Sequence, residues 1–570
     1  MRHIPPAARQ GSLLLAVLVL LVLLSIAGAA FYKWSFAEYK ATQVNQRRLQ
    51  TRLAAESGIE YVRFFLDHNR DWLHNEGGIA HNPARMQIAL TQTDGNVDLR
   101  PAFRPRFTVV SPALDANGDF VGLRYGIENE SARLNLNTLL VADARNPEAN
   151  LGRMVLMSLP GMTETMADSI LDWMDEDDEP RDFGAERDYY SGLTPPYEPQ
   201  NGPLESIDQL LLIRDVLPEL VYGVDRNRNF VVDEAEVGAT QFAAVDNSYG
   251  DMNRGWAAYI TLKSAELNVR PDGTPRIDLN NDDLAALQSE LRMIFDDEQT
   301  NFIIAYRQGG PYQAESNSRG GSEGRGGSGG RRGGRGRGGS DDEDEEEAGG
   351  AIEQIASAAS LELDMEQEGA VQISSILDLI GVQTRVVQKG KTERTVVEAA
   401  FPDDPGTLQS VLPIMMEHLT ASGQQVIPGR ININQAPRTL LEGLSTAMPM
   451  VFPPEAVQQI LANRAFEPGT ERPEQLYETW ILANGYVTLD QMKQLMPLIT
   501  SGGDVYRAQV VGYYEADGPF CRLEAIFEGT QGPMRVASVR DLTPLGVGFS
   551  VEQLGAISSE LAAPAATGSP

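Results

Sequence analysis

The chain has 570 residues, enough for two to four domains. With 47 basic and 80 acidic side chains its net charge is −33, and an acidic surface repels phosphate, which argues against nucleic-acid binding. The single cysteine, Cys521, excludes an intrachain disulfide, and five histidines provide little material for a histidine-based metal site or triad.

The first predicted element is a membrane helix. Residues Ser12 to Tyr32 carry no charge, and at ~1.5 Å per residue the run reaches ~31 Å, about the thickness of bilayer hydrocarbon. No proline occurs between Pro6 and Pro83, so the helix is predicted to continue as a stem that ends near Asp71. Apolar residues recur along this stem at helical spacing: Leu49, Leu53, Ile59, Val62 and Leu66.

The basic leader ends in Gly11, directly before the apolar run. This order resembles the class III leader of type IV pilins and type II secretion pseudopilins. The resemblance implies cleavage by a prepilin peptidase after Gly11 and a mature, often N-methylated, chain that starts at Ser12. Most such proteins have Glu at mature position five, where this chain has Ala16. Lack of that Glu is typical of the minor pseudopilin K, which is thought to sit at the fibre tip.

Strand signals lie at both ends of the remaining chain. Residues from Arg106 and from Phe120 alternate apolar and polar around the turn Asp115–Asp119, which predicts a β-hairpin. Three further alternating segments begin at Val505, Phe520 and Met534. The sequence therefore predicts that the C-terminal strands complete the first sheet, and that a mainly helical region from 138 to 500 is an insertion into a pilin-like body.

The insertion contains an internal repeat. Arg133-Leu-Asn-Leu-Asn and Arg430-Ile-Asn-Ile-Asn each precede predicted helices, and Arg276-Ile-Asp-Leu-Asn is a third, weaker copy. Asn at a strand end caps a following helix or turn. The minor pseudopilin K family carries a large inserted α-domain with repeated SAM-like modules, a second point of resemblance. Residues 156–174 also resemble a helix-hairpin-helix, but the acidic residues that follow disfavour phosphate binding.

The segment 307–350 contains a run almost entirely of Gly, Arg and Ser from Ser318 to Gly339 and then an acidic block from Asp341 to Glu347, and it predicts a flexible linker. The Gly/Arg half has the composition of RNA-binding segments. The adjacent acidic block can neutralise it, so a linker is the favoured interpretation.

The densest carboxylate cluster extends from Asp172 to Asp188. Calcium takes six to eight oxygen ligands from such loops. Carboxylates at a helix C-terminus are repelled by the negative end of the helix dipole, and a bound cation would relieve that repulsion. The stretch also resembles the Asp-Trp-x-Asp-x-Asp…Gly-Ala-Glu signature of the family, which implies calcium binding in the α-domain. The residues that we expect to be ligands are Asp175, Asp177, Asp178 and Glu186. The alternative is a solvated acidic turn, while glycoside hydrolysis lacks any accompanying sugar-binding pattern.

A second cation site is predicted in an EF-hand-like loop. Its ligands, at positions 1, 3, 5, 7, 9 and 12, would be Asp225, Asn227, Asn229, the carbonyl of Val231, Asp233 and Glu236. Position 6 is normally Gly and here is Phe230, and positive φ is costly for such a residue. The alternative is a loop that keeps the fold but binds no ion.

Together these features predict an α+β fold: an N-terminal transmembrane and stem helix, a pilin-like antiparallel sheet, and a large mainly α-helical insertion with SAM-like or helix-hairpin-helix-like modules. The predicted segments are leader 1–11, helix 12–72, first part of the sheet 73–137, inserted α-domain 138–306, linker 307–350, second inserted part 351–500, and C-terminal strands with a flexible tail 501–570.

The resemblance implies a non-enzymatic minor pseudopilin of a type II secretion system. It would be anchored in the inner membrane before assembly and would cap the tip of the periplasmic pseudopilus. The resemblance also implies as partners the minor pseudopilins I and J, the major pseudopilin, the secretin, exported substrates and the prepilin peptidase. The sequence contains no Walker loop, nucleophile elbow or His-Glu-x-x-His motif. Two alternatives remain: a membrane-anchored or secreted calcium-binding adhesion protein, with Ala27–Ala30 as an ordinary cleavage site, and a minor pilin of a type IV pilus.

Overall fold

The computed structural model describes residues 10–68, 70–89, 104–141, 150–237, 247, 250–312, 354–465, 472–515 and 518–555. The predicted leader residues 1–9, most of the predicted linker 307–350 and the tail after 555 lie outside the described residues. By contacts the chain divides into two compact units. Unit 1 comprises Met1–Leu267, Val426–Glu478 and Pro497–Pro570, and unit 2 comprises Asn268–Gln425 and Thr479–Met496.

The α-helices differ widely in length, and one is far longer than the rest. In chain order they are α1 Gln10–Leu66, α2 Arg70–Asn75, α3 Pro83–Met86, α4 Leu151–Leu156, α5 Glu164–Met174, α6 Arg187–Ser191, α7 Pro218–Tyr222, α8 Glu234–Val237, α9 Leu284–Leu291, α10 Asp297–Gly309, α11 Pro405–His418, α12 Arg438–Ala447, α13 Pro454–Asn463, α14 Trp480–Ala483 and α15 Leu489–Leu495.

The β-strands are long at the two ends of the chain and short between them. They are β1 Gln87–Ala89, β2 Pro105–Leu114, β3 Phe120–Arg124, β4 Glu128–Asn129, β5 Leu134–Asn135, β6 Ile260–Thr261, β7 Ala265–Leu267, β8 Ile277–Asp278, β9 Pro311–Tyr312, β10 Gln354–Ala356, β11 Gln383–Val387, β12 Arg394–Val397, β13 Leu419–Thr420, β14 Val426–Pro428, β15 Ile431–Asn432, β16 Ile499–Thr500, β17 Val505–Tyr514, β18 Cys521–Glu528 and β19 Arg535–Asp541.

Helix α1 has an exposed half and a packed half. Its segment from Leu13 is long and apolar enough to cross a membrane, by length and composition. Further along, Ala55, Ile59, Val62 and Phe65 are buried at helical spacing against a sheet. Two predicted members of this apolar face, Leu49 and Leu53, are more than half exposed, and the buried positions before Ile59 are instead Thr51, Ala54 and Ala55. The helix ends at Leu66, before the predicted Asp71.

The main sheet joins the two ends of the chain. Its strand order is β1-β2-β17-β18-β19, with β3 paired to β2 and β4 paired to β17, and every pairing is antiparallel. The predicted hairpin is β2–β3, and the three predicted C-terminal strands are β17, β18 and β19. Because β17 pairs with β2, the sheet cannot form without residues from both sides of the insertion.

Each face of the sheet is covered. Strand β17 alternates between the two, with Val510 packed in the core that contains α1 and Val511 in a separate core. The second core is closed by the C-terminal segment 546–555, through the side chains of Phe549 and Leu554. The Tyr513 hydroxyl donates to the carbonyl of Leu554 at 2.7 Å. An antiparallel sheet stacked on the upper part of an apolar helix confirms the predicted α+β class.

The Arg-x-Asn-x-Asn repeat forms the same structure three times, including the weaker copy. Each copy provides a short strand paired in parallel with a strand that ends in Thr: β5 with β6, β8 with β13, and β15 with β16. In each copy the third residue accepts a hydrogen bond from the amide of the fifth, at 2.9–3.1 Å. The fifth residue, always Asn, donates its side-chain amide to backbone carbonyls of its own unit: Leu204 and Leu262, Ile373 and Ala421, and Gln475.

Unit 2 contains the second copy of the repeat together with a four-stranded sheet in the order β10-β12-β11-β9. A mainly helical prediction for the insertion omitted this sheet. Its strands are only two to five residues long and lie beside segments of Gly, Ser and charged residues, so alternation gives a weak signal.

The contact between α1 and β17 is close enough to require glycine. A Cβ added to Gly512 would lie 2.8 Å from the backbone nitrogen of Ala55 and closer still to the carbonyl oxygen of Thr51. A Cβ on Gly58 would lie 2.5 Å from Val510 Cγ1. Because backbone atoms of the helix cannot move independently, a side chain at 512 must push the whole stem away from the sheet.

We therefore expect Gly512→Ala to destabilise the protein by about 1–3 kcal/mol, the usual cost of overpacking. The measurement is the thermal unfolding midpoint of the full chain in detergent. Gly202→Ala is the matched control, because the nearest heavy atom to its added Cβ is 3.8 Å away. Equal midpoints for the two variants would contradict the close packing of α1 on β17.

Candidate metal centres

The first acidic site is built at the C-terminal end of α5. Thr163 caps the start of this helix by accepting from the amide of Met166, and the helix is buried from Ala167 to Met174. Asp172 is therefore held in the interior with no exposed surface, and Asp175 is the helix C-cap. Asp168 on the same helix pairs with Arg153, which satisfies its charge separately.

The chain after α5 returns a third carboxylate to the same place. Asp172, Asp175 and Glu186 each offer an oxygen, and these oxygens all lie within 4.8 Å of one another. Gly184 permits this approach, since a Cβ there would lie 2.7 Å from Asp172 Cγ and even nearer its Oδ2. Carboxylate oxygens that converge in this way are the ligands that a hard cation such as calcium prefers.

The charges of this cluster are only partly compensated by protein groups. Arg181 pairs with Asp172 at 2.7 Å and also with Asp175. By contrast, both oxygens of Glu186 and Oδ1 of Asp175 are buried and have no hydrogen-bond donor within the described part of the chain. A buried carboxylate without a donor costs several kcal/mol when ionised. The geometry therefore leaves two groups whose oxygens a bound cation would satisfy.

The pKa values reflect the same imbalance. Burial, together with the nearby charges of Asp172 and Asp175, raises the pKa of Glu186 to about 8. Burial raises the pKa of Asp172 to about 6, even though its hydrogen bond from Arg181 acts in the opposite direction. Without a cation, Glu186 is mostly protonated at neutral pH. The orphaned buried oxygens and the oxygen-only donor set fit calcium.

The predicted ligands do not all meet in this cluster. Asp175 and Glu186 do, whereas Asp177 and Asp178 are exposed on the following turn. Asp177 accepts from the amide of Glu179 at 2.9 Å, and Asp178 accepts from the side-chain amide of Asn201 at 3.2 Å. Sequence reasoning omitted Asp172 as a ligand. Its position three residues before Asp175 on one helical face was the available signal.

The second site is the predicted EF-hand-like loop, which lies between α7 and α8. Phe230, at the position where glycine is usual, has a φ of 74°, and Arg228 has a φ of 57°. The non-glycine residue therefore adopts the left-handed turn that the loop requires, at a cost of order 1 kcal/mol. The carboxylate of Asp225 accepts from the amides of Asn229 and Phe230, both at 3.0 Å, which holds the turn closed.

The remaining predicted ligands of this loop face one another through hydrogen bonds. The side-chain amides of Asn227 and Asn229 donate to Asp233 Oδ2 at 2.6 and 3.0 Å. Glu236 accepts from the amide of Arg226 at 2.9 Å and from that of Asp233 at 3.1 Å. The Val231 amide donates to Asn229 Oδ1, which places residue 231 next to these side chains. The loop thus has the shape of an ion-binding loop, with its oxygens satisfied internally.

The loop is anchored to the main sheet. The side-chain amide of Asn229 donates to the carbonyl of Gly548 at 2.7 Å, and the carbonyl of Arg228 accepts from Gln509 and Arg522. The rings of Phe230 and Phe549 lie 6.2 Å apart. The cost of the positive φ is therefore offset by contacts between Phe230 and the segment that closes the second core.

One segment of the chain matches a known protein family. Residues 132–226 match the first-domain model of the family described as "Type II secretion system (T2SS), protein K". This segment is therefore similar to the first domain of a type II secretion system protein K. The matched segment includes the whole first acidic site, the first copy of the repeat and the beginning of the EF-hand-like loop. No curated protein matches the chain significantly.

A solved structure is also similar to the chain. It is the crystal structure of the GspK-GspI-GspJ complex from the type 2 secretion system of enterotoxigenic Escherichia coli, with 11% sequence identity. The match covers 88% of this chain and 99% of the solved chain, with a TM-score of 0.34. At that score the similarity supports no statement about the arrangement of the domains.

The pKa of Glu186 leads to a prediction about pH. A carboxyl whose pKa is raised in the folded state binds a proton there that the unfolded chain releases, so stability falls as pH rises from about 4.5 to about 8. In calcium-free buffer, the unfolding midpoint of the full chain should fall over this range, and Glu186→Gln should remove part of the fall. Glu198→Gln, an exposed acid paired with Arg187, is the control. Identical pH profiles for wild type and Glu186→Gln would contradict the assignment.

The positive φ of Phe230 predicts an inverted order of substitutions. Phe230→Ala and Phe230→Gly lose the same ring contacts, but only glycine adopts this φ without strain. The glycine variant should be the more stable by about 1 kcal/mol, measured by thermal unfolding. At Phe520, in the same core and without a positive φ, the usual order with alanine more stable should hold. The usual order at both positions would show that the loop does not hold this turn in solution.

Proposed function

We propose that the chain acts as a minor pseudopilin of a type II secretion system and forms the tip of the pseudopilus. The observation that carries the proposal is the position of the protein K domain. It is inserted between strands β4 and β17 of an antiparallel sheet that packs on a long N-terminal apolar helix. In this arrangement the apolar helix can lie in the membrane before assembly and can pack against other subunits in the fibre. The protein K domain then lies at the end of the helix that packs on the sheet.

The stem helix supports the assembly step. The apolar side chains from Leu13 to Ile26 are exposed, so they need either lipid or the helices of neighbouring subunits as partners. Ala16 in place of a glutamate removes the carboxylate that would pair with the N-terminal amine of a subunit above. A subunit without that carboxylate, and with a large domain on its head, suits the last place in a fibre.

The proposed location and partners follow from this role. The helix anchors the chain once in the inner membrane, with the remaining chain in the periplasm, after a prepilin peptidase has cut between Gly11 and Ser12 and the new amine has been methylated. The solved GspK is in a complex with GspI and GspJ. We propose the minor pseudopilins I and J as direct partners, with the major pseudopilin, the secretin and exported substrates as further partners.

The proposed role requires no catalysis, because assembly and capping depend on binding alone. The two alternatives from the sequence are less well supported. An adhesion protein or a type IV minor pilin explains the apolar helix and the acidic loops, but neither explains a protein K domain over residues 132–226.

Calcium binding is part of the proposal. The residues that would hold the ion at the first site are Asp172, Asp175 and Glu186, whose oxygens converge and are partly without donors. Asp177 and Asp178, which lie on the neighbouring turn, remain candidate ligands on the outer side of this ion. At the second site the candidates are Asp225, Asn227, Asn229, the carbonyl of Val231, Asp233 and Glu236. A bound cation supplies positive charge that allows Glu186 to ionise and fixes the loop after α5.

The cleavage site distinguishes the proposed function from a secreted protein. N-terminal sequencing of the mature chain, expressed with its prepilin peptidase, should give Ser12 as the first residue. Gly11→Val should block cleavage and secretion, whereas Ala29→Leu, within the rival site Ala27–Ala30, should leave both unchanged.

The mature wild-type chain should also co-purify with the pseudopilins I and J encoded beside it. A mature chain that starts near Phe31 would remove the helix and exclude the assembly role.

A further inference from the structure

A partly enclosed cavity lies between the main sheet and the first inserted module, apart from the first acidic site and beside Asp225 of the EF-hand-like loop. Its volume is about 60 Å³, and one water needs ~10–15 Å³ on the same measure, so the cavity has room for about four or five water-sized groups. Among its lining residues guanidinium groups outnumber carboxylates: Arg133, Arg228, Arg254, Arg507 and Arg540 against Glu128, Asp225 and Glu524.

Three of the five arginines have specific carboxylate or aromatic partners that account for their position. Arg507 is paired with Glu130, and Arg540 with Asp208 at 2.6 Å. The guanidinium of Arg228 lies over the ring of Tyr222 at 4.1 Å. The two remaining arginines, Arg133 and Arg254, have buried donor atoms without an acceptor among the described residues.

Arg133 is almost completely buried, with 2% of its surface exposed. Its Nη2 pairs with Glu128, which leaves Nε and Nη1 buried without an acceptor among the described residues. A donor on a charged group that is buried and unpaired costs more free energy than its neutral counterpart. Two such donors on one side chain indicate an acceptor with more than one oxygen.

Arg254 adds a second guanidinium with an open donor. It lies between the rings of Phe120 and Phe230, at 4.4 and 5.1 Å from their centroids, and none of the described ion pairs includes it. Its Nη1 is buried without an acceptor in the described part of the chain. Burial lowers the pKa of Arg254 to about 10, and the positive charge of Arg133 acts in the same direction, whereas the charges of Glu128 and Asp225 act in the opposite direction.

The nearby carboxylates offset the arginine charges but do not accept from Nε and Nη1 of Arg133 or from Nη1 of Arg254. Glu128 is bonded to Arg133, and Asp225 accepts from backbone amides of its own loop. The pKa of Glu524 is lowered because the charges of Arg507, Arg133, Arg540 and Arg228 outweigh its burial. Glu524 is therefore an ionised counter-charge to several arginines at once and does not neutralise Arg254.

We propose that this cavity binds one small tetrahedral oxyanion, of which inorganic phosphate is the example, between the guanidinium groups of Arg133 and Arg254. Several oxygens on one compact group would accept from Nε and Nη1 of Arg133 and from Nη1 of Arg254 together, which is the recognition that arginine forks favour. The volume excludes a peptide segment. The site would join the first module to the sheet, because Arg133 precedes β5 and the cavity is also lined by Gln509 of β17.

The test is isothermal titration calorimetry of the full chain in detergent, in buffer freed of calcium and phosphate, with sodium phosphate against sodium chloride of equal ionic strength. Wild type should bind one phosphate per chain, and chloride should give no saturable heat. Arg254→Gln should weaken phosphate binding at least tenfold. Arg292→Gln, which removes an exposed arginine paired with Asp297, should bind as wild type does.

A change in folding must be separated from a loss of the site. Arg254→Lys keeps the positive charge and should bind phosphate with an affinity between those of wild type and Arg254→Gln. If Arg254→Gln does not fold, the wild-type titration and the Arg254→Lys variant decide the matter. No saturable phosphate binding to wild type, or equal binding by wild type and the folded Arg254 variants, would overturn the proposal.

Discussion

The structure depends on the close contact between the stem helix and strand β17. At Gly512 and Gly58 the helix and the strand lie so close together that an added Cβ would overlap atoms of the other element. Around them, Ala55, Ile59 and Val62 bury the helix face against the sheet. This contact determines which part of α1 belongs to the folded head and which part remains free for lipid or for other subunits. It also gives the inserted domain a fixed base, because β17 is the strand that pairs with β2.

The inserted region reuses one short device. In each of three copies an Asn or Asp turns the chain by accepting from the amide two residues later, and the final Asn bridges to carbonyls of another segment. These side chains satisfy backbone groups that such short strands leave unpaired. The acidic site is built differently. It places carboxylates where protein donors do not reach, which favours a cation over a hydrogen-bond network.

Much of the fold could be predicted from the sequence, because its signals are local. The uncharged run from Ser12 predicts the helix, and alternation in the segments from Arg106 and Val505 predicts the strands that pair in the sheet. The buried face of the stem was only partly predictable, since Leu49 and Leu53 fit the periodicity but are exposed, while Thr51 and Ala55 lie against β17. The sites depend on distant residues. The residues around Asp172 in the sequence do not show that Arg181 pairs with its carboxylate. Those around Phe230 do not show that contact with Phe549 offsets the strained turn.

The order in which the chain is made adds a kinetic consequence. The amide of Met534 donates to Asp67 at 2.7 Å, across a sequence separation of 467 residues. At a synthesis rate of ~5–20 residues per second, the end of the stem waits roughly 25–90 s before this partner exists. During that interval strands β1 to β3 exist, but β17 and β18, which also cover the apolar face of the stem, do not. The half-covered stem must therefore survive until the C-terminal strands are made, so the yield of folded protein depends on the rate of completion as well as on final stability.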